Sequence, residues 1–438
     1  MSVNTQDTQD TVVGLVVTGD NHLSPALPRL SPARRQQRRA WLRRCFAAAV
    51  DYAIDHGAAL FINTGDLFDS PAPSNQDRAF VADQLRRLSD AGIVCAAIGG
   101  NHDTPRMQTE HGGESPQQVY AAFDGLRYFA ATDVLEPYVV TLRGLRVAIA
   151  GLSNNPVAAP GSDPLAQALW SDGAAEALAQ ADVALVTLHA AIEGMCRPSE
   201  GERIVTLASV AALPEQCRLV LTGHIHRFSR QRVGGREVVA VGATERMEFG
   251  AQSGEPGFVW AELTREGARR VEHIRTEAQP RVDITLHTSR LWPNDLDSPV
   301  DASGEQENAA SRTPLDVIRD ELEVACTAET MARLRLTGPI SRERYHQLAL
   351  RDVMALGLQR AFSLDLDTSG LTLVEPAFAP TLATPSEVIS PTRMVAMLVE
   401  EALRESASGA PDAPDPDDLR AAGDLLVARL RMSGQEGA

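Results

Sequence analysis

The sequence predicts an α/β protein. Its main unit is a two-sheet sandwich flanked by helices, followed by a small α/β capping domain and C-terminal helices. Three observations carry that prediction. Short apolar, β-branched runs alternate with helical stretches from residue 11 to about residue 280. Strands then follow one another at 237–241 and 258–263. After Glu375 the composition shifts to Pro, Ala and Thr, which separates the end of the chain from the rest. At 438 residues, 44% of them hydrophobic, the chain exceeds what one core usually organises, and two or three units are expected.

The elements follow in order. Residues 1–10 are polar and read as a disordered tail. Within the first domain, 11–280, strands are expected at 12–17, 59–62, 93–98, 183–188 and 219–221, with a long helix between the first two. The second domain, 281–376, opens on an alternating strand at 282–286. An insertion at 293–311, rich in Asp, Ser, Glu and Asn, reads as flexible. Pro314 then opens a helix, and a strand at 332–337, a helix at 342–362 and a strand at 363–366 complete the module. Residues 377–438 comprise a linker and two amphipathic helices, near 391–405 and 416–432. Val395, Leu398, Val399, Ala402 and Leu403 line the first, and Leu425, Leu426, Ala428 and Leu430 the second.

Several classes are disfavoured at once. No stretch approaches the roughly 20 apolar residues of a membrane span, and the polar N-terminus is no signal peptide. Five cysteines are scattered without a CxxC pair, which predicts reduced thiols rather than a disulfide frame. A soluble, cytoplasmic protein is expected.

Each of the five predicted strands ends in a polar motif, where open α/β sheets place their ligands. In order these are Asp20-Asn21-His22, Gly65 to Asp69 (GDLFD), Gly100 to Asp103 (GNHD), Leu188-His189 and Gly223 to His226 (GHIH). A lone D-x-H triplet occurs by chance, but five of the ten histidines fall in this ordered set. The donors suit two divalent cations. Two such ions roughly 3.5–4 Å apart need a bridging carboxylate, and together they activate water and neutralise a phosphate. Asp66 is the expected bridge, with Asp20, His22 and His226 on one ion and Asn101, His189 and His224 on the other. Oxygen and nitrogen donors without thiolate suit manganese, iron or zinc, with manganese favoured. Strand alternation would bring His224 and His226, and likewise Asp20 and His22, to one side. His102 is expected to protonate the departing oxygen, with Asp103 holding its ring and Asp69 either assisting or capping its loop. His56, His111, His273, His287 and His346 stand outside the set.

The net charge of −17 opposes a nucleic-acid role, but local distribution matters more. Seven arginines and no acidic residue lie between Asn21 and Val50. Spacings of four put Arg35, Arg39 and Arg43 on one helix face, a stripe suited to DNA backbone contacts or simply a solvated surface. Arg227, after GHIH, is a further phosphate-contact candidate.

The wording D-N-H-L, G-D-L-F-D, G-N-H-D-T-P, L-H and G-H-I-H resembles the calcineurin-like metallophosphoesterase superfamily, and within it the SbcD-type DNA repair exonucleases, over residues 12–244. The resemblance implies a DNA double-strand-break repair nuclease cutting by attack of a hydroxide activated by two metals. It implies a domain at 281–376 that caps the site and contacts DNA. It also implies an SMC-like ATPase partner of the SbcC type bound through the C-terminal helices, and a homodimer. A small-molecule or cyclic-nucleotide phosphodiesterase is the alternative within the superfamily. A mainly structural DNA-tethering subunit of an ATPase complex is the alternative outside it.

Overall fold

The computed structural model describes residues 11–107, 109–123, 125–249, 254–292, 312–374, 395, 398–400, 402–403 and 415–433. The expected tail, the insertion at 293–311 and most of the helix near 391–405 lie outside them. The chain divides into two compact units, Met1–Val374 and Glu375–Ala438.

The first unit holds two six-stranded sheets face to face. One runs in the order Gly267–Arg275, Gly257–Thr264, Val13–Thr18, Leu60–Asn63, Val94–Ile98, Arg127–Phe129. The other runs Ser229–Val233, Arg236–Ala240, Cys217–Gly223, Val183–His189, Leu145–Leu152, Tyr138–Leu142. The central strands of both are parallel; antiparallel strands close both edges of the second sheet and one edge of the first, whose other edge, Arg127–Phe129, pairs in parallel. These central strands are covered on both faces, which is why they read as continuous apolar runs rather than alternating ones. Val13, Leu15 and Val17 point into the core between the sheets, together with Leu219 and Leu221. Val16 faces the helices over the first sheet, and Val220 those over the second.

The long helix expected after the first motif is Pro32–Asp55. The Ser31 side chain accepts the Arg34 backbone N–H, and proline fills the first turn, where its missing N–H costs nothing. Its buried face, Leu42, Cys45, Phe46, Ala49, Val50 and Ala53, packs on the first sheet beside the helix Asn75–Asp90. Arg38 lies on that face too. It forms a fully buried ion pair with Glu245, 2.9 Å apart. Glu245 also accepts the Gln279 backbone N–H, while the Gln279 side chain takes a bond from Arg38 and gives one to the Glu329 carbonyl.

Beyond Gln279 a three-stranded parallel sheet, Arg281–His287, Met331–Ile340 and Ser363–Leu373, builds a core of its own around Leu286, Ile318, Leu322, Leu334 and Leu336. The module has the elements read from the sequence, adds a short helix at Thr288–Leu291 and extends the middle strand to Ile340. Its last strand runs to Leu373. The single helix expected over 342–362 is broken into Arg342–Gln347 and Leu350–Arg360 at Ala349, whose φ is 45°. Leu348 and Val353 are both fully buried. Five positions apart, they would face different sides of an unbroken helix, and the left-handed turn lets both reach the core. In the second unit the helix Pro416–Ser433 exposes Leu425 and Leu426. Among the described residues no helix is long and apolar enough to cross a membrane.

Candidate metal centre

The carboxyl ends of the central strands in both sheets meet at one edge. Asp20, His22, Asp66, Asn101 and His102 come from the first sheet, and His189, His224 and His226 from the second. The first two motif loops are zipped together by their backbones. Asp20 N donates to Gly65 O, His22 N to Asp66 O and Leu23 N to Leu67 O, at 2.9–3.1 Å. Gly65, at φ 97°, and Gly100 let these loops approach. A Cβ at Gly65 would meet the His189 ring and one at Gly100 the Asp66 carboxylate.

Strand alternation does not aim the ligands, contrary to the sequence argument. The strands end at Thr18 and Gly223, and Asp20, His22, Asp66 and His224 all adopt left-handed backbone, with φ of 47°, 45°, 49° and 77°. Asp and His tolerate this region better than most residues, yet each such position stores of order 1–3 kcal/mol.

The side chains converge in two overlapping groups. Asp20, His22 and His226 form the first, with the His22 and His226 Nε2 atoms 3.3 Å apart and His226 Nε2 3.9 Å from Asp20 Oδ1. The second gathers around Asn101, whose Oδ1 stands 3.0 Å from both His189 Nε2 and His224 Nδ1. Asp66 lies between the two. Its Oδ2 is 3.3 Å from His189 Nε2 and 3.9 Å from His22 Nε2.

Hydrogen bonds set which ring nitrogens face inward. Nδ1–H of His189 donates to the Thr64 carbonyl at 2.8 Å, and Nδ1–H of His22 to Asp69 Oδ1 at 3.2 Å, so both rings turn Nε2 to the centre. Burial disfavours ionising Asp66, but His189 and His22 outweigh it and hold the carboxyl well below the usual range. Burial lowers His189, yet the neighbouring Asp66 carries it up to about 9. Asp20 Oδ2 is buried with no hydrogen-bond partner. An orphaned carboxylate oxygen beside imidazole nitrogens turned inward fits a divalent cation among Asp20, His22 and His226.

The assisting residues differ from expectation. Asp103 does not hold His102. It is fully buried, accepts backbone N–H groups of Gly100 and Phe68 and the Gln117 side chain, and braces the loops from behind. Burial and the nearby Asp66 push it up to about 7. Asp69 takes the place assigned to Asp103. Its carboxylate bonds His22, and its carbonyl lies 3.4 Å from His102 Nδ1. The backbone N–H of His102 is fixed on Asp66 Oδ1 at 2.8 Å, and the half-exposed ring lines an open cleft of about 830 Å³.

The arginine stripe also needs correcting. Arg39 bonds the Pro25 carbonyl through Nε and Nη2, Arg35 bonds the Leu30 carbonyl, and Arg43 pairs with buried Asp77 at 2.7 Å. These guanidiniums satisfy carbonyls of the loop entering their own helix and tie it to the next one. Arg227 does line the cleft, as does exposed Arg197. Sequence reasoning missed Arg197 and also missed Glu202, which bonds His224 from 22 positions away. No motif marks either.

Residues 14–228 match the family model for calcineurin-like phosphoesterases. The chain is 24% identical over 196 residues to the DNA double-strand break repair protein Mre11 of Saccharolobus solfataricus, covering 45% of this chain and 46% of that protein. To the protein of the same name from Sulfurisphaera tokodaii it is 32% identical over 111 residues, 25% of this chain and 26% of the other. The chain thus spans between a quarter and a half of these relatives. A dimetal phosphatase from Danio rerio aligns with a TM-score of 0.37 at 12% identity, over 60% of this chain and 98% of that one.

Proposed function

We propose that this chain, which carries a calcineurin-like phosphoesterase domain over residues 14–228, is a metal-dependent nuclease that hydrolyses DNA phosphodiesters in double-strand break repair. The observation that carries the reading is the placement of Asp66 between two groups of inward-facing donors, each drawn from both sheets. When bound, two divalent cations, manganese by preference, supply the charge that neutralises a phosphate and acidifies a water. Asp20, His22 and His226 would hold one, and Asn101, His189 and His224 the other.

The remaining work falls to the chain. His102 lines the cleft with its backbone pinned by Asp66 and its Nδ1 next to the Asp69 carbonyl, which leaves Nε2 for a substrate. From there it orients the scissile phosphate and delivers a proton to the departing oxygen, general acid work for an imidazole. Arg197 and Arg227 line the same cleft and supply contacts to the phosphates of the substrate. An open cleft with two arginines suits a polymer better than a small diester. The exposed Leu425 and Leu426 support docking of the last helix on an SMC-like ATPase of the SbcC type.

The test is manganese-dependent cleavage of end-labelled linear DNA beside bis-p-nitrophenyl phosphate, for the wild type and His102→Ala. DNA cleavage that disappears in the variant is expected. Diester turnover without DNA cleavage, with or without the ATPase, would instead favour a small-substrate phosphodiesterase.

A further inference from the structure

In the group around Asn101, His224 turns its outward nitrogen to a carboxylate that lies outside the strand-end motifs. Its Nε2 lies 2.6 Å from Glu202 Oε1, and its Nδ1 lies 3.0 Å from Asn101 Oδ1. Asn101 Oδ1 only accepts hydrogen bonds. A ring that gives its Nε2 proton to Glu202 turns a bare lone pair on Nδ1 toward that oxygen. Two lone pairs 3.0 Å apart repel unless a cation sits beside them, so the bond to Glu202 selects the tautomer and the ring orientation a metal ligand needs.

Glu202 is itself firmly held. Its second oxygen accepts the Ser199 backbone N–H, and its own N–H donates to the Ser199 carbonyl, closing a tight turn. The next residues, Ile204–Val205, pair in parallel with Ala191–Ile192, the short strand directly after His189. Arg203 bonds the Asn155 carbonyl. The carboxylate therefore stands on a braced turn tied to the strand that delivers another ligand of the same group. Backbone alone does not secure His224. Its N–H donates to Asp20 Oδ1, but its φ of 77° leaves the ring at the tip of a loop, partly exposed.

We infer that Glu202 is the positioning residue of the metal site formed by Asn101, His189 and His224, fixing the His224 tautomer through Nε2. This rests on the two-cation reading of the centre. It predicts an asymmetric defect, since among the described residues Glu202 is hydrogen-bonded to His224 and to none of Asp20, His22 and His226.

Manganese titration calorimetry on the full chain without substrate tests it, with Glu202→Ala and Glu202→Gln beside the wild type. The wild type should bind two ions. Glu202→Ala should retain one affinity and lose about 10–100-fold in the other, while the metal-free variant still unfolds in a single cooperative transition. Glu202→Gln, whose amide oxygen still accepts the Nε2 proton, should restore most of the loss. In parallel, ¹⁵N spectra of the metal-free protein should show His224 shifting away from the Nε2–H tautomer in the alanine variant alone. Unchanged affinities in Glu202→Ala overturn the inference. So does equal weakening of both sites, or equal loss in the alanine and glutamine variants. A wild type that binds two ions yet never cleaves DNA would remove the nuclease reading and leave this one intact.

Discussion

Two regions of this molecule are rich in functional-looking residues, and they were put to opposite uses. The loops after the central strands carry five histidines and several carboxylates whose unsatisfied atoms face one another, with Asp20 Oδ2 buried and bare. The helix Pro32–Asp55 carries a run of arginines in which Arg38, Arg39 and Arg43 spend their donors inside the protein. The difference lies in what surrounds each group. Donor atoms with nowhere internal to go mark a ligand site. Guanidiniums beside loose carbonyls and a buried carboxylate mark a scaffold, whatever their periodicity.

That contrast can be broken or sharpened, beginning with the largest effect. His102→Ala should lower kcat about 10²–10⁴-fold while calorimetry still counts two manganese ions. Loss of metal together with rate would make the ring a ligand rather than a proton donor. Next, Arg38→Ala leaves Glu245 buried and unpaired and should cost about 3–5 kcal/mol in denaturant unfolding, with residual activity in the folded fraction. A smaller cost would mean that water reaches the pair. The finest distinction lies in salt. Replacing Arg197 and Arg227 by alanine should flatten the slope of log affinity for DNA against log salt by about two, whereas Arg35→Ala and Arg39→Ala together should leave it unchanged. A slope that responds to the helix instead would restore the stripe as a DNA contact.

Much of this was legible in the sequence because strands buried on both faces write themselves as apolar runs, and because a metal centre at their ends needs a narrow set of residue types. The strands Val183–His189 and Leu60–Asn63 fall within one residue of the bounds read that way, 183–188 and 59–62. Long-range partnerships are not legible that way. Nothing near Glu202 points to His224, and choosing between Asp69 and Asp103 as the neighbour of His102 depends on which loop folds over which. The break at Ala349 was hidden because the local pattern suits one continuous helix, and only the burial of both Leu348 and Val353 calls for two. The arginines misled for a related reason, since carbonyls left open by a loop such as that at Pro25 are invisible in a list of side chains.

The left-handed backbone at Asp20, His22, Asp66 and His224 has a consequence for the life of the protein. At of order 1–3 kcal/mol each, four such positions amount to a sizeable part of the 5–15 kcal/mol that separates a typical domain from its unfolded chain. Cations that bind only the folded form return stability as their concentration rises above the dissociation constant. Metal supply would then set how long the chain escapes degradation as well as how fast it turns over, and a cell short of the metal would hold less of the protein, not merely an idle pool of it.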